Sequence, residues 1–223
     1  TSQKSKLSAQ AAQNQAVWYA TYNDKLTETD PELAEIFGNF AFGDVQQYGK
    51  LSTRNRILVT MASAIATNSV TEYRKTLYAA FSNGITPIEI KEVLYHAVPY
   101  AGMSRIEDLL EIANSFFTEK GIELPLASQS VVTSETRMEK GLALQKSIFG
   151  NQIDRMYETS PANQLHIQQY LSANCFGDYQ TRPVFDAQTR ELLTFAILIS
   201  LGGCEPQVKG HIAGNVNVGN NKQ

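Results

Sequence analysis

The sequence predicts an all-α fold built from one helical unit written twice, and three observations carry that prediction. Helix punctuation recurs along the chain: Asp30-Pro31, Thr86-Pro87 with Glu89, Ser160-Pro161 and Asp186 as starts, Gly84 and Gly121 as stops. Apolar residues recur at helical spacing, as Ile57, Leu58, Met61, Ala62, Ile65 and later Leu109, Leu110, Ile112, Phe116, Phe117, with no comparable stretch alternating at period two. The segment Phe42-Gly43-Asp44 returns as Phe176-Gly177-Asp178, an offset of 134 (176 − 42).

The same offset pairs Gln46 with Gln180, Arg56 with Arg190, Leu58 with Leu192, Thr60 with Thr194, Ala62 with Ala196, Ile65 with Ile199, Lys75 with Lys209 and Ala79 with Ala213. These matches crowd into one ungapped window. The reading is a first repeat over 1–121, with an N-terminal helix near Leu7–Thr21, a linker over 122–133 and a second repeat over 134–223. The second repeat has its own lead-in helices, Glu135–Ile148 and Pro161–Ala173. Beyond Gly84 the first copy continues through helices at Pro87–Pro99 and Ser104–Lys120, whereas beyond the corresponding Gly219 only four residues follow. The second copy is therefore expected to leave an apolar face that a further segment, another chain or the N-terminal helix must cover.

Composition narrows the function classes. With 43% hydrophobic and 18% charged residues, the 223-residue chain can bury a real core. The net charge is −3; residues 1–125 carry 11 − 14 = −3 and the remainder 8 − 8 = 0. Neither half has the basic excess that phosphate-backbone binding needs, so no nucleic-acid partner is expected. The longest apolar stretch, Leu192–Leu201, is too short to span a bilayer and holds Thr194 and Ser200, so no membrane partner is expected either. Two cysteines make no disulfide framework, and a cytoplasmic setting is the simplest expectation. Because the sequence begins at Thr1, a removed N-terminal signal stays open.

Comparing the two copies position by position locates a candidate site. Glu191 corresponds to Ile57, Cys204 to Val70 and His211 to Leu77. Places that take Ile, Val and Leu in one copy read as core-facing, and polar side chains put there need each other, water or a ligand. Gly202-Gly203 ends one helix and Pro206 fits the first turn of the next, which sets Cys204 at a helix N-terminus where the dipole favours thiolate. His211 follows seven residues on, on nearly the same face and about 10 Å further along the axis, so a substrate fits between the two. Glu191 reaches from the preceding helix to orient or charge His211. The plainer alternatives are a packed thiol, a satisfied core histidine and a solvated glutamate.

His96, in Tyr95-His96-Ala97, is a second candidate for a pocket wall, with packing or capping as the alternative. His166 and Cys175 read as structural, Cys175 standing where the first copy has Ala41. The three histidines are scattered without ligand spacing, so no metal is expected, and Gly202-Gly203 is not followed by the residues of a phosphate loop.

The Phe-Gly-Asp segments, the stretch RELLTFAILISLGGCEPQVKGHIAGNVNVG and the stretch EVLYHAVPYAGMSR together resemble the carboxymuconolactone decarboxylase and alkylhydroperoxidase-D-like superfamily in its two-repeat form, over roughly Leu51–Lys120 and Phe176–Gly219. The resemblance implies an all-helical homo-oligomer, a trimer or hexamer of the unit, acting on a small organic molecule without metal or organic cofactor. The peroxidase branch uses a Cys-x-x-Cys pair, a histidine four residues after it and an upstream glutamate. On this chain those positions fall on Cys204, Gln207, His211 and, with a one-residue slip, Glu191. Gln207 replaces the second cysteine, which sets dithiol chemistry in doubt, while the decarboxylase branch relies on histidine and acidic residues. The implied activity is thus thiol-dependent, peroxiredoxin-type peroxidase chemistry or cofactor-free decarboxylation; the competing class is a non-catalytic oligomer retaining the fold and a vestigial pocket.

Overall fold

Caps and glycines divide the chain into helices. The computed structural model describes residues 6–222, and among them every regular element is helical. The first half runs α1 (Ala9–Tyr19), α2 (Leu26–Thr29), α3 (Pro31–Gly38), a π-helical stretch (Asn39–Asp44), α4 (Val45–Gln47), α5 (Thr53–Ala66), α6 (Val70–Ser82), α7 (Pro87–Ala101) and α8 (Met103–Glu119). Residues 122–133 form no helix. The second half runs α9 (Arg137–Phe149), α10 (Gln152–Thr159), a short 3-10 turn (Ala162–Gln164), α11 (Leu165–Tyr170), a second π-helical stretch (Leu171–Gln180), α12 (Ala187–Leu201) and α13 (Glu205–Asn217).

The Thr86 capping box opens α7: Thr86 Oγ1 accepts from the Glu89 amide at 3.2 Å, and the Glu89 carboxylate accepts from the Thr86 amide at 2.8 Å. Asp186 caps α12 through the Thr189 amide at 2.8 Å. Asp30 departs from its expected role, because its side chain makes no cap bond and accepts instead from Thr29 Oγ1 at 2.7 Å; Pro31 alone marks the start of α3. The expected lead-in helix Pro161–Ala173 is broken into the 3-10 turn, α11 and the start of the π-helical stretch.

Helices of this length are marginal alone, so packing must hold them. α5 and α12 lie against each other, with Ser63 Oγ and Ser200 Oγ 2.7 Å apart. Met61 and Ile65 of α5, Leu193 and Ile197 of α12, Leu94 of α7 and Phe117 of α8 belong to one continuous core, so the two halves share their interior. Adding 134 to the bounds of α5 gives 187–200, against Ala187–Leu201 for α12; for α6 it gives 204–216, against Glu205–Asn217 for α13. α7 packs against both α5 and α12. α9 runs along the second π-helical stretch at close range, where a Cβ on Gly141 would collide with the backbone of Ser172 and Gly177.

α1 covers α6 and the first π-helical stretch. On the second half Ile199 and Ala213 stay exposed, with Ile212 and Val216 beside them, whereas Ile65 and Ala79, the residues 134 positions before Ile199 and Ala213, are fully buried. No helix among the described residues is long and apolar enough to cross a membrane.

Candidate active site

The turn between α12 and α13 builds one wall. Gly202 (φ 70°) and Gly203 (φ 67°) adopt the left-handed backbone that ends α12 and swings the chain into α13. Cys204 becomes the N-cap of α13, with Pro206 in its first turn. Cys204, Gln207 and His211 thereby face a cavity of about 750 Å³. The opposite wall comes from the first half, with Tyr100 at the end of α7 and Arg105 on α8, and Phe149 and Cys175 complete it from α9 and the π-helical stretch.

His211 Nδ1 bonds Glu191 Oε2 at 2.8 Å, and Glu191 is wholly buried. The carboxylate holds the imidazole by its Nδ1–H, which leaves Nε2 as the nitrogen offered to the cavity. Two aromatic rings set the imidazole plane edge-on: Phe149 at 5.4 Å and Tyr100 at 6.2 Å between centroids. Gly214 makes the pairing possible, since a Cβ there would run into Glu191 Oε2 and the Phe149 ring. Asn215 Nδ2 ties the two helices together by donating to the carbonyls of Glu191 (3.0 Å) and His211 (2.8 Å). Glu191 Oε1 is buried with no hydrogen-bond partner, a cost that packing alone does not explain.

The three residues singled out by comparing the copies therefore come together, though not as equals. Glu191 and His211 form a bonded pair, while Cys204 Sγ donates to the Leu198 carbonyl at 3.2 Å, a bond that needs the proton on sulfur. Of the first-half counterparts, Ile57 and Leu77 are buried, but Val70 is 41% exposed. The correction has a simple cause: Val70, like Cys204, stands at the very start of its helix, beyond the cover of the packed face.

His96 does not line the cavity as expected from the sequence. It is fully buried one layer behind, where Arg190 Nη1 donates to its Nδ1 at 3.1 Å and its Nε2 bonds Thr194 Oγ1 at 2.8 Å. Arginine can only donate, so Nδ1 carries the lone pair and Nε2 the proton. Thr194 Oγ1 in turn donates to Tyr100 Oη at 3.3 Å, and Gln180 Nε2 donates to the same oxygen at 2.7 Å. Glu92 balances the guanidinium, accepting from Arg190 Nη2 at 2.9 Å and from Arg182 Nε at 2.9 and 3.1 Å. Glu92, His96 and Tyr100 lie four residues apart on one face of α7, which makes α7 a polar key inserted between the halves.

Cys175 is buried as expected of a structural residue, yet it also borders the cavity, 3.6 Å from Tyr100 Oη. Burial pushes its thiol up to about 11 and holds the Tyr100 phenol well above its ordinary value, so both face the cavity protonated. His166 sits on an exposed stretch of α11 against Tyr170. No group of three or more metal-ligating side chains forms among the described residues.

Burial, then Arg190, then His211 hold the His96 imidazole well below its usual range. The unfolded chain takes up a proton there below about pH 6.5 that the folded chain refuses. The stability contribution is complete above that pH and falls as pH drops, by up to about 1.4 kcal/mol per unit. Urea unfolding at pH 7.5, 6.5 and 5.5 is expected to give a smaller acid loss for His96→Gln than for the wild type; equal losses would assign the slope to other groups.

The sequence singled out none of Glu92, Tyr100 or Arg182. A signal was present for the network's other side, since Arg190, Thr194 and Gln180 are each preceded, 134 residues earlier, by the same residue type: Arg56, Thr60 and Gln46.

A model of the carboxymuconolactone decarboxylase family matches residues 31–115, which span α3 to most of α8 and include the polar face of α7. A curated 4-carboxymuconolactone decarboxylase from Acinetobacter baylyi is 31% identical over 99 residues, 44% of this chain and 74% of that protein.

Proposed function

Because the chain belongs to the carboxymuconolactone decarboxylase family, we propose that the cavity between its halves is an acid–base site for cofactor-free decarboxylation of a small organic acid. The observation that carries this reading is the Glu191–His211 pair, bonded at 2.8 Å with Nε2 turned to the cavity. In the proposed step the bond between the substrate carbon and its carboxylate breaks, carbon dioxide leaves, and the electron pair stays on the substrate as an enolate. Imidazolium Nε2–H protonates that carbon and the ring regains a proton from water. Glu191 stabilises the imidazolium, and the protonated Tyr100 hydroxyl, 6.2 Å away between ring centroids, is placed to donate to the enolate oxygen.

The relative's name supports carboxy-lyase chemistry. The thiol-peroxidase reading is less well supported: Gln207 stands where a second thiol would be, and the Cys204 S–H donates a hydrogen bond to the Leu198 carbonyl. The deciding experiment is carbon dioxide release from 4-carboxymuconolactone and related small lactone and β-keto acids by the wild type and Cys204→Ser. Acid–base chemistry predicts turnover within about threefold of wild type for the variant. A loss of a hundredfold, or hydroperoxide reduction in place of carbon dioxide release, would transfer the role to the thiol.

A further inference from the structure

Arg182 Nε donates to both oxygens of Glu92, and Arg190 Nη2 donates to the same carboxylate. Two guanidinium groups thus share one negative charge, and His96 beside Arg190 is neutral, which leaves one positive charge uncompensated. The side chains of Arg190, Glu92 and Arg182 are 3%, 1% and 13% exposed, and an excess cation so far out of water favours a counter-ion. Arg182 is the member of this cluster that an outside anion can reach. Glu92 holds its Nε, and its Cζ lies 5.2 Å from the centroid of the Tyr95 ring. Nη1 and Nη2 make no hydrogen bond among the described residues, and neither is sealed from solvent. A guanidinium fixed in this way, with its terminal nitrogens free, is preorganised for a carboxylate.

Arg182 borders a cavity of about 510 Å³ formed by α7, α8 and the segment 124–129. Lys91, next to Glu92 on α7, borders it too; it is half-buried and forms no ion pair among the described residues. Burial draws its ammonium below the ordinary lysine value, as befits a cation short of a counter-charge. Glu92 is the only carboxylate among the bordering residues, and both its oxygens are already taken by arginines. On α8, Asn114 borders the same cavity, and its Oδ1 is buried with no hydrogen-bond partner. Much of the remaining wall is apolar, from Ile88, Leu124, Pro125 and Leu126.

We propose that this cavity is a second ligand site, for a small organic acid with an apolar body and a hydroxyl or amide N–H donor. The carboxylate bridges Lys91 and Arg182 and supplies the charge that the buried cluster lacks. The apolar body lies against Leu124 and Leu126, and the donor satisfies Asn114 Oδ1. The cavity shares no bordering residue with the one that holds His211, so the inference is independent of the decarboxylase reading.

The probe is 4-hydroxybenzoate, titrated calorimetrically into the intact chain at neutral pH. Saturable binding with a Kd below about 1 mM is expected. Lys91→Ala and Arg182→Gln should each weaken it by more than about tenfold, while His211→Asn binds as the wild type does. Lys91 is half-buried and unpaired, so its variant decides the matter even if Arg182→Gln proves poorly folded in a thermal melt. Benzoate, which lacks the hydroxyl, should bind the wild type about three- to tenfold more weakly than 4-hydroxybenzoate, and Asn114→Leu should erase that difference. Absence of saturable binding would overturn the proposal, as would equally tight binding of the uncharged 4-hydroxybenzamide. Binding that survives Lys91→Ala but is lost in His211→Asn would also overturn it, by placing the acid in the other cavity.

Discussion

Glu92→Ala should destabilise the fold by roughly 3–5 kcal/mol, the largest single-residue effect expected outside the apolar core. Arg190 is almost wholly buried, and Glu92 is its acidic partner at 2.9 Å. Burial draws the guanidinium below its ordinary value while Glu92 opposes that pull, yet arginine does not give up its proton in proteins. Removing the carboxylate therefore strands a cation in a low-dielectric interior with a second cation, Arg182, beside it. In a chain of this size the loss corresponds to about 6–20 °C in Tm, readable by calorimetry or urea unfolding. The Arg54–Glu89 pair is the internal comparison, being half open to solvent; Arg54→Ala should cost no more than about 1 kcal/mol. A Glu92→Ala effect equally small would mean that water reaches Arg190.

His211→Asn should lower kcat for decarboxylation by about 10²–10⁴ with KM little changed, the signature of a group that acts in the transition state. Asparagine keeps a polar group beside Glu191 but cannot carry the proton from Nε2. Glu191→Gln should give a smaller fall, because it leaves the ring in place between Phe149 and Tyr100 while removing the charge that favours imidazolium. The two losses should not add in the double variant, since the residues work as a unit. An additive double variant, or a His211→Asn enzyme at full rate, would remove the pair from the mechanism.

Local signals made the helices legible in the sequence. The Thr86 box, the Asp186 cap and the glycines at 84, 121 and 202 all act within a few residues of themselves, and the structure has them where expected. The pairing of Glu191 with His211 was legible too, because the residues 134 positions earlier, Ile57 and Leu77, are apolar. His96 was misplaced because its nearest chain neighbours carry no trace of Arg190 and Thr194, which lie 94 and 98 residues away. Glu92 and Tyr100 escaped for the same reason: one helical turn either side of His96, they look like part of an ordinary solvated stripe until α12 is laid over them. Val70 was misjudged because a position at a helix start is not covered by the packed face, whatever residue stands 134 positions later.

The span between α7 and α12 also sets a timetable for synthesis. Glu92 is made 98 residues before Arg190, which at ordinary translation rates is roughly 5–20 s. Through that interval the nascent chain holds a finished helix whose acidic, imidazole and phenol groups have no partner in their final place, and whose apolar side awaits α12. The newborn first half is thus an incomplete lock, and the contacts that close it are the slow, long-range kind. Translation speed between residues 100 and 190, more than the propensity of any helix, governs how long the chain stays exposed to misassembly.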